Sequence, residues 1–407
     1  MGFIDRLFGR EIRSARIKSS DPYLAQFFAM RESGAGVTVT PHAVEGLAVA
    51  TACIQAIADA VAMLPLKVYR KLGDAGRELV SDHPVARLFD GSVNAHLVAA
   101  EWLELIVSHA LLRGNAYSEI IRDGRGAPVE LIPLHPDLVN VVRIVGSHRI
   151  AYDVASPDAG PQRRVMSEDM FHLRDRSDDG IIGRSRLSRA RDAFGNAIAA
   201  ETYASSTFAN GASFSGLIIH PTQIGEDAHK RLSESLAAFK GSGNAGKLAL
   251  LEEDMKFESM SAKPDEAQAL ESRRFNVDSV CSIFKVPPPV IGHLEGSNYS
   301  SLQEVHRMFA RNGVQPWLNK IERTVERSLF SEEGRRLHEC EFDTDLLLKT
   351  SMLERYQSYR LARETGLASA NELRRFENLN PRTDAGGSEY LSPLNMKPEQ
   401  SGKKKED

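Results

Sequence analysis

The chain has 407 residues, too many for one compact core of ordinary size, so its length points to two or three domains. Apolar residues make up 42% and charged residues 26%, an ordinary balance that excludes a disordered or fibrous chain. The net charge of −4 lacks the basic excess of a protein that grips duplex nucleic acid tightly, since each phosphate neutralised releases a counterion and adds affinity.

Residues 1–40 read as an arm: a short basic amphipathic start in which Asp5 and Arg6 break any apolar core, then a flexible run at 32–36. No secretory leader is expected from such a start. Order is expected from about Pro41, with Thr40 as helix N-cap and proline at the first helical position. Helical spacing of Leu47, Cys53, Ile54, Ile57 and Val61 continues to residue 63. The most apolar stretch, 49–64, contains Asp59 and is closed by Pro65. It is too short and too polar to span a bilayer, and no membrane association is expected.

A strand follows at 65–69 and a turn at 73–76. A second helix is expected over 99–113, with Trp102, Leu105, Ile106, His109 and Leu112 on one side and Gly114 as its stop. Short strands come next at 116–122, 128–133, 139–145, 150–154 and 170–173, separated by turn residues such as Asp123 and Gly124. The first half is therefore α+β, helices first and a mostly antiparallel sheet after.

The texture changes at Arg186. An Ala-rich helix is expected over 186–210, roughly 35–40 Å long at ~1.5 Å per residue, with Gly195 inside it and Gly211 at its C-terminal cap. A small insert follows: a strand at 216–220, a helix at 226–239, a glycine-rich turn at 241–246 and a strand at 247–251. A second long helix spans 264–285, with Pro264 at its first position. Its first half is polar nearly all round, whereas Val277, Val280, Cys281 and Phe284 share one face of the second half. Three prolines at 287–289 end it. Residues 291–301 read as a loop. A further helix over 302–330 should kink or break at Pro316, with Trp317, Leu318, Ile321, Val325 and Leu329 on its core face. A strand at 339–344, helices at 346–364 and 370–378, and a disordered tail from Pro381 complete the pattern.

Catalytic constellations are missing. The glycines at 241–246 precede a strand and lack the Lys-Ser/Thr of a phosphate loop. His293 and Glu295 match half of a zinc-deaminase signature without its PCxxC half. The three cysteines, Cys53, Cys281 and Cys340, form no CxxC, so neither a disulfide framework nor a zinc ribbon is expected and a reducing compartment is. The twelve histidines show no pair at ligand spacing. Glu252, Glu253 and Asp254, and the pair Asp343 and Asp345, could hold a metal. Solvated charge at strand ends is the simpler reading. No cofactor, no metal and no enzymatic activity are expected. The alternatives are a metal-dependent hydrolase built on Asp343 and Asp345, and a DNA-binding regulator, for which a basic recognition helix is lacking.

Several segments, in order, resemble the portal protein family of tailed phages, prophages and gene transfer agents, specifically its compact group. They begin with Ala-Cys-Ile-Gln-Ala-Ile-Ala-Asp-Ala-Val-Ala-Met-Leu-Pro-Leu-Lys-Val-Tyr at 52–69, Leu-Leu-Arg-Gly-Asn-Ala-Tyr at 111–117 and Leu-Ile-Pro-Leu-His-Pro at 131–136. Phe-Ala-Asn-Gly-Ala at 208–212, Leu-Glu-Ser-Arg-Arg-Phe at 270–275, Phe-Lys-Val-Pro-Pro at 284–288 and Ser-Asn-Tyr-Ser at 297–300 follow. The likeness covers about 40–380.

The resemblance implies a portal-like multi-domain α+β fold with long stem helices, a small α/β clip insert and a helical C-terminal crown. After the arm at 1–40, the wing would be 41–185, the stem helices 186–211 and 264–288 and the clip 212–263. The tunnel loop would be 289–302, a kinked helix with a return to the wing 303–345, the crown 346–380 and the tail 381–407. It further implies a dodecameric ring at one capsid vertex, a homo-oligomer through which double-stranded DNA passes. Its partners would be the terminase large subunit, a head–tail adaptor and the major capsid protein. Such a ring would assemble in the host cytoplasm and end in the virion. Expected near DNA are Arg273 and Arg274 of the stem and Ser297, Asn298, Tyr299 and Ser300 of the tunnel loop. For Arg273 and Arg274, ion pairs with Glu266 or Glu271 of a neighbouring subunit weigh equally. The clip residues expected to face partners are Lys240, Lys247, Glu252 and Glu253.

Overall fold

The computed structural model describes residues 33–144, 146–156, 161–209, 216–219, 225, 230, 255–259, 266–294, 299–344, 352–377 and 379–391. The chain forms two units, residues 1–343 and 344–407.

The first unit opens with a tight turn rather than a flexible run. Ser33 is buried, its hydroxyl donates to the Val37 carbonyl at 3.0 Å, and the Gly34 amide donates to Asp192 at 3.0 Å. Thr40 then caps α1 (Pro41–Glu45) by accepting from the Ala43 amide, as expected. The helical spacing to residue 63 is carried by two helices, not one: the backbone breaks at Gly46 and Leu47 before α2 (Ala48–Ala62). Cys53, Ile54, Ile57 and Val61 all face the core.

β1 (Leu66–Lys71) lies between β2 (Arg77–Leu79) and β11 (His338–Phe342) in an antiparallel sheet, so the chain's two distant ends of the first unit close on each other. A short helix that the spacing did not reveal, α3 (Pro84–Phe89), precedes α4 (Ala99–Arg113). α4 packs against α2. On α4, Trp102 is fully buried, meets Phe89 and Phe171 edge-on, and donates its indole N–H to Ser118 at 3.0 Å. That bond satisfies the one polar atom of a side chain otherwise bought into the core by apolar area.

Two further antiparallel three-stranded sheets follow. β3 (Asn115–Arg122) sits between β4 (Pro128–Leu134) and β8 (Met170–Arg174). β6 (Ile150–Val154) sits between β5 (Val139–Arg143) and β7 (Arg163–Met166), the last an unexpected strand. Tyr117, Val139, Tyr152, Val154, Val165 and Met170 form the core between these sheets.

The expected single Ala-rich helix is two. α5 (Arg186–Arg189) ends at Ala190, whose ψ of 36° leaves the helical region, and α6 (Arg191–Ala209) restarts after it. α6 is therefore about 28 Å long. Gly195 within it has a steric reason: a Cβ there would lie 2.1 Å from the Ser33 hydroxyl. In the insert, β9 (Gly216–Ile219) pairs antiparallel with β10 (Lys256–Ser259), a strand the pattern did not reveal. The expected strand at 247–251 and all of the expected helix 226–239 except Lys230 lie outside the described residues.

α7 (Glu266–Phe284) follows; Pro264 is outside the described residues. The loop expected over 291–301 is shorter than that, because α8 (Tyr299–Met308) already includes Tyr299 and Ser300. The helix does not break at Pro316: a π-turn over Phe309–Val314 runs without a gap into α9 (Gln315–Leu329). Proline cannot donate a helix bond and crowds the preceding turn. Widening that turn, so that the Gln315 amide reaches back five residues to Ala310, absorbs the misfit without a break. The expected face of α9 is buried throughout, and α10 (Glu332–Leu337) returns the chain to β11.

The second unit contains α11 (Met352–Glu364) and α12 (Ala370–Phe376). Ser369 and Glu372 form a reciprocal capping box at the start of α12. Arg355 pairs with Glu377 at 2.7 Å and Tyr359 donates to the same carboxylate at 3.0 Å. Residues 381–391, expected to be disordered, fold back onto α12: Asn371 exchanges hydrogen bonds with the Arg382 backbone, and Tyr390 donates to Glu372 at 2.7 Å. Large apolar side chains of this unit remain outside: Leu353, Leu361 and Leu367 are 70%, 62% and 80% exposed.

Candidate functional site

α6 and α7 lie side by side, joined where α6 begins and α7 ends by the edge-on contact of Phe194 with Phe284, ring centroids 6.0 Å apart and both rings fully buried. What the pair of helices can transmit depends on how it is anchored to the sheets.

The first anchor is the motif at 111–117. Gly114 ends α4 in the left-handed conformation, φ 80°. The segment before α5 runs directly over it: a Cβ on Gly114 would lie 2.5 Å from the Ser185 amide nitrogen, and one on Gly183 would lie 2.0 Å from the Gly114 carbonyl oxygen. Asn115 grips that segment with both ends of its amide, donating to the Gly183 carbonyl at 2.8 Å and accepting from the Gly183 amide at 2.7 Å. The Asn115 oxygen also meets His172 Nε2 at 3.0 Å, and His172 Nδ1 meets the Tyr152 hydroxyl at 3.1 Å. Burial holds His172 well below the ordinary histidine range and pushes the Tyr152 phenol up to about 12, so this chain of groups is neutral. Ser185 finishes the anchor by donating to the Leu112 carbonyl at 2.7 Å while capping α5.

The second anchor is charged. Arg186 donates to Asp175 at 2.8 Å, and also reaches the carbonyls of Ile283 and Phe284 at 3.2 Å each. Its guanidinium stands 5.9 Å from the Phe284 ring and 5.5 Å from the Trp317 ring. Lys320 approaches the other Asp175 oxygen at 3.3 Å. One arginine thus ties the end of β8, the start of α5, the end of α7 and α9. Burial by itself would raise the Asp175 carboxyl, but Arg186 and Lys320 outweigh it and hold it below the usual carboxylate value. At the end of α7, Lys285 adopts φ 60°, a left-handed conformation rare outside glycine. It closes the helix with bonds from Val286 to Cys281 and from Lys285 to Ser282. These anchors have sequence signals: the Gly-Asn pair at 114–115 and the Phe-Lys-Val-Pro-Pro stop. Asp175 and Arg186 carried none that spacing could reveal.

Of the residues expected near DNA, Arg273 and Arg274 lie in the first half of α7, and Arg274 is exposed. Tyr299 and Ser300 lie in the first turn of α8, not in a loop. Ser297 and Asn298 lie outside the described residues, as do Lys240, Lys247, Glu252, Glu253 and Asp345. Asp343 forms an ion pair with Lys67 at 2.6 Å just beyond β11. Among the described residues no group of three or more His, Cys, Asp or Glu is placed to hold a metal ion, and no helix is long and apolar enough to cross a membrane. Histidines unpaired in sequence do meet in space: His83 and His338 rings lie 4.9 Å apart, and His109 and His135 rings 5.5 Å apart.

The profile of the family described as "Phage portal protein" matches residues 48–378. The chain belongs to that family. It is similar to the "Probable portal protein" of Streptomyces phage phiC31, with 31% identity over 97% of this chain and 89% of that one. It is also similar to the "Portal protein" of Enterobacteria phage HK97, with 28% identity over 81% and 78% of the two chains. Among solved structures, a chain of the neck of an empty gene transfer agent particle, computed with C6 symmetry, superposes with a TM-score of 0.58 at 26% identity, over 83% of this portal-family chain and 92% of that one. The mixed helix-and-sheet architecture, with paired helices anchored on antiparallel sheets, is therefore the portal fold.

Proposed function

We propose that this portal-family protein forms a ring of twelve subunits at the unique vertex of a capsid, and that double-stranded DNA passes through the ring during packaging and ejection. The observation that carries the reading is the family match over residues 48–378, joined to the doubly anchored helix pair α6 and α7. A channel wall must hold its shape while a charged polymer moves past it. Fastening both helices to the wing through Arg186, Asp175 and Asn115 supplies that rigidity. The exposed apolar side chains of α11 and its surroundings fit burial against neighbouring subunits, since exposed apolar patches on an isolated chain mark interfaces. The net charge of −4 suits a conduit, because a strongly basic wall would hold DNA through many phosphate contacts.

On this reading the related gene transfer agent neck, with its six-fold symmetry, is compatible with twelve subunits. Residues 212–263, including Lys240, Lys247, Glu252 and Glu253, face the terminase large subunit during packaging and a head–tail adaptor afterwards. Arg273, Arg274, Ser297, Asn298, Tyr299 and Ser300 lie toward the channel. The major capsid protein surrounds the ring, which assembles in the host cytoplasm and remains in the virion. The terminase supplies the energy of translocation.

Negative-stain imaging and native mass spectrometry of the purified full-length protein test the proposal. A ring with a central opening and a mass near twelve subunits is expected. A strict monomer at every concentration, with no ring when capsid protein is co-expressed, would count against it. Deleting 296–300 should leave ring assembly intact and lower packaged DNA.

A further inference from the structure

Cys53 on α2 and Cys281 on α7 face each other across the contact between a wing helix and a stem helix, with their sulfurs 3.8 Å apart. The two residues are 228 positions apart in the chain. Both are buried, at 0% and 1% exposure. The third cysteine, Cys340, is engaged elsewhere, its sulfur 3.3 Å from the Glu322 carbonyl. Nothing in the channel reading uses this pair, and buried cysteines often serve only as small apolar side chains. Here, however, two of them meet on separate elements, and one stands beside an opening.

That opening is a groove of about 700 Å³ between the end of α7, the proline-rich stop and the π-turn. Cys281 lies on its wall with Ser282, Lys285 and Arg311. Cys53 directs its S–H at the Cys281 sulfur. Accepting that hydrogen bond lowers the Cys281 thiol from its ordinary value, and the same bond together with burial pushes Cys53 up. Cys281 thus borders the groove and is the more readily ionised of the two, the properties that select the first thiol to react; at 1% exposure it reacts as the groove wall opens locally.

We propose that Cys53 and Cys281 are an oxidisable pair, a modification site that a small dialkyl disulfide entering the groove converts into a covalent link between wing and stem. The Cys281 thiolate attacks one sulfur of the reagent, breaking its S–S bond and expelling one thiolate, which takes up a proton. Cys53 then attacks the Cys281 sulfur of the mixed disulfide, its proton passing to the departing sulfur, which leaves as the second thiol. Two cysteine thiols are oxidised and one reagent disulfide is reduced to two thiols. The sulfurs must close from 3.8 Å to the ~2.05 Å of a disulfide, a movement within the reach of side-chain rotation and a small helix shift. The link fixes α7 to α2 and encloses a very long chain segment, which constrains the unfolded state strongly.

The test uses the unaltered full-length protein, first reduced and then treated under native conditions with 2-hydroxyethyl disulfide. Intact mass should fall by about 2 Da, two hydrogens per chain, and peptide mapping should join Cys53 to Cys281. The oxidised protein should melt about 5 °C above the reduced protein, and dithiothreitol should reverse the shift. Cys340→Ser should respond like the parent, whereas Cys53→Ser should stop at a mixed disulfide with a mass gain. Because oxidised and reduced forms of one chain are compared, the result does not depend on a variant folding. A chain that stays fully reduced, a stable adduct on the parent protein, a link involving Cys340, or an oxidised form that melts no higher than the reduced form would each overturn the proposal.

Discussion

Asn115 holds the backbone of Gly183 in a two-sided grip, donating to its carbonyl at 2.8 Å and accepting from its amide at 2.7 Å, 68 residues away in the chain. The grip works because Gly183 and Gly114 have no side chains to keep the two backbones apart. It joins the start of β3 to the segment that leads into α5 and α6.

Asn115→Ala is expected to lower stability by about 1–3 kcal/mol, since it strands a buried amide and carbonyl. Gly183→Ala should cost more, because its Cβ would meet backbone that has no rotamer to change. Urea unfolding of each variant, followed by circular dichroism, measures both. Equal stability of Asn115→Ala and the parent would show that the grip is redundant.

Asp175 gives a pH dependence with a defined sign. Its folded-state pKa is depressed by Arg186 and Lys320 against the opposing effect of burial. A depressed carboxyl contributes stability above its ordinary unfolded value of about 3.9 and loses that contribution as the pH falls through the lower folded value. Asp175→Asn should cost about 3–5 kcal/mol at neutral pH, because it leaves the mostly buried Arg186 without its partner. The gap between variant and parent should narrow below about pH 4. Melting temperatures from pH 2.5 to 7 test this.

His109 acts in a higher window. Burial, then His135 and Arg113, lower its pKa to about 4. The neutral form is the folded form, so its contribution is present above the unfolded value of about 6.5 and is lost as the pH falls from there toward 4. Its Nδ1 is buried with no hydrogen-bond partner among the described residues. His109→Leu should therefore stay within about 1 kcal/mol of the parent at pH 7.5 and melt higher than the parent at pH 5. A variant less stable at both pH values would refute the assignment.

The exposed apolar side chains of the second unit carry a prediction about assembly. Leu353→Asp and Leu361→Asp should each remove roughly 1.5–3 kcal/mol of apolar burial per subunit interface. The ring fraction should fall in analytical ultracentrifugation while the first unit's thermal transition is unchanged. Unaltered ring formation by both variants would place the interface elsewhere.

Local pattern alone determined much of this protein. Thr40 before Pro41 marks a helix start, the Gly114 stop ends α4, the face from Trp317 to Leu329 finds the core, and the ordered motifs point to the portal family. These features rest on propensity, capping and periodicity, which act within one turn or one strand. Where sequence reasoning failed, a distant contact decided. Gly195 is explained by Ser33 and not by its helix, and the turn at residue 33 by Asp192. Asp175 and Arg186 meet because β8 ends where α5 begins beneath α7 and α9. Cys53 and Cys281, 228 positions apart, become neighbours only when α2 packs on α7. The identity of the elements was legible in the sequence because short-range sterics and hydrogen bonding set it. Their fastening, on which the candidate channel depends, was decided by tertiary packing, which no local spacing records.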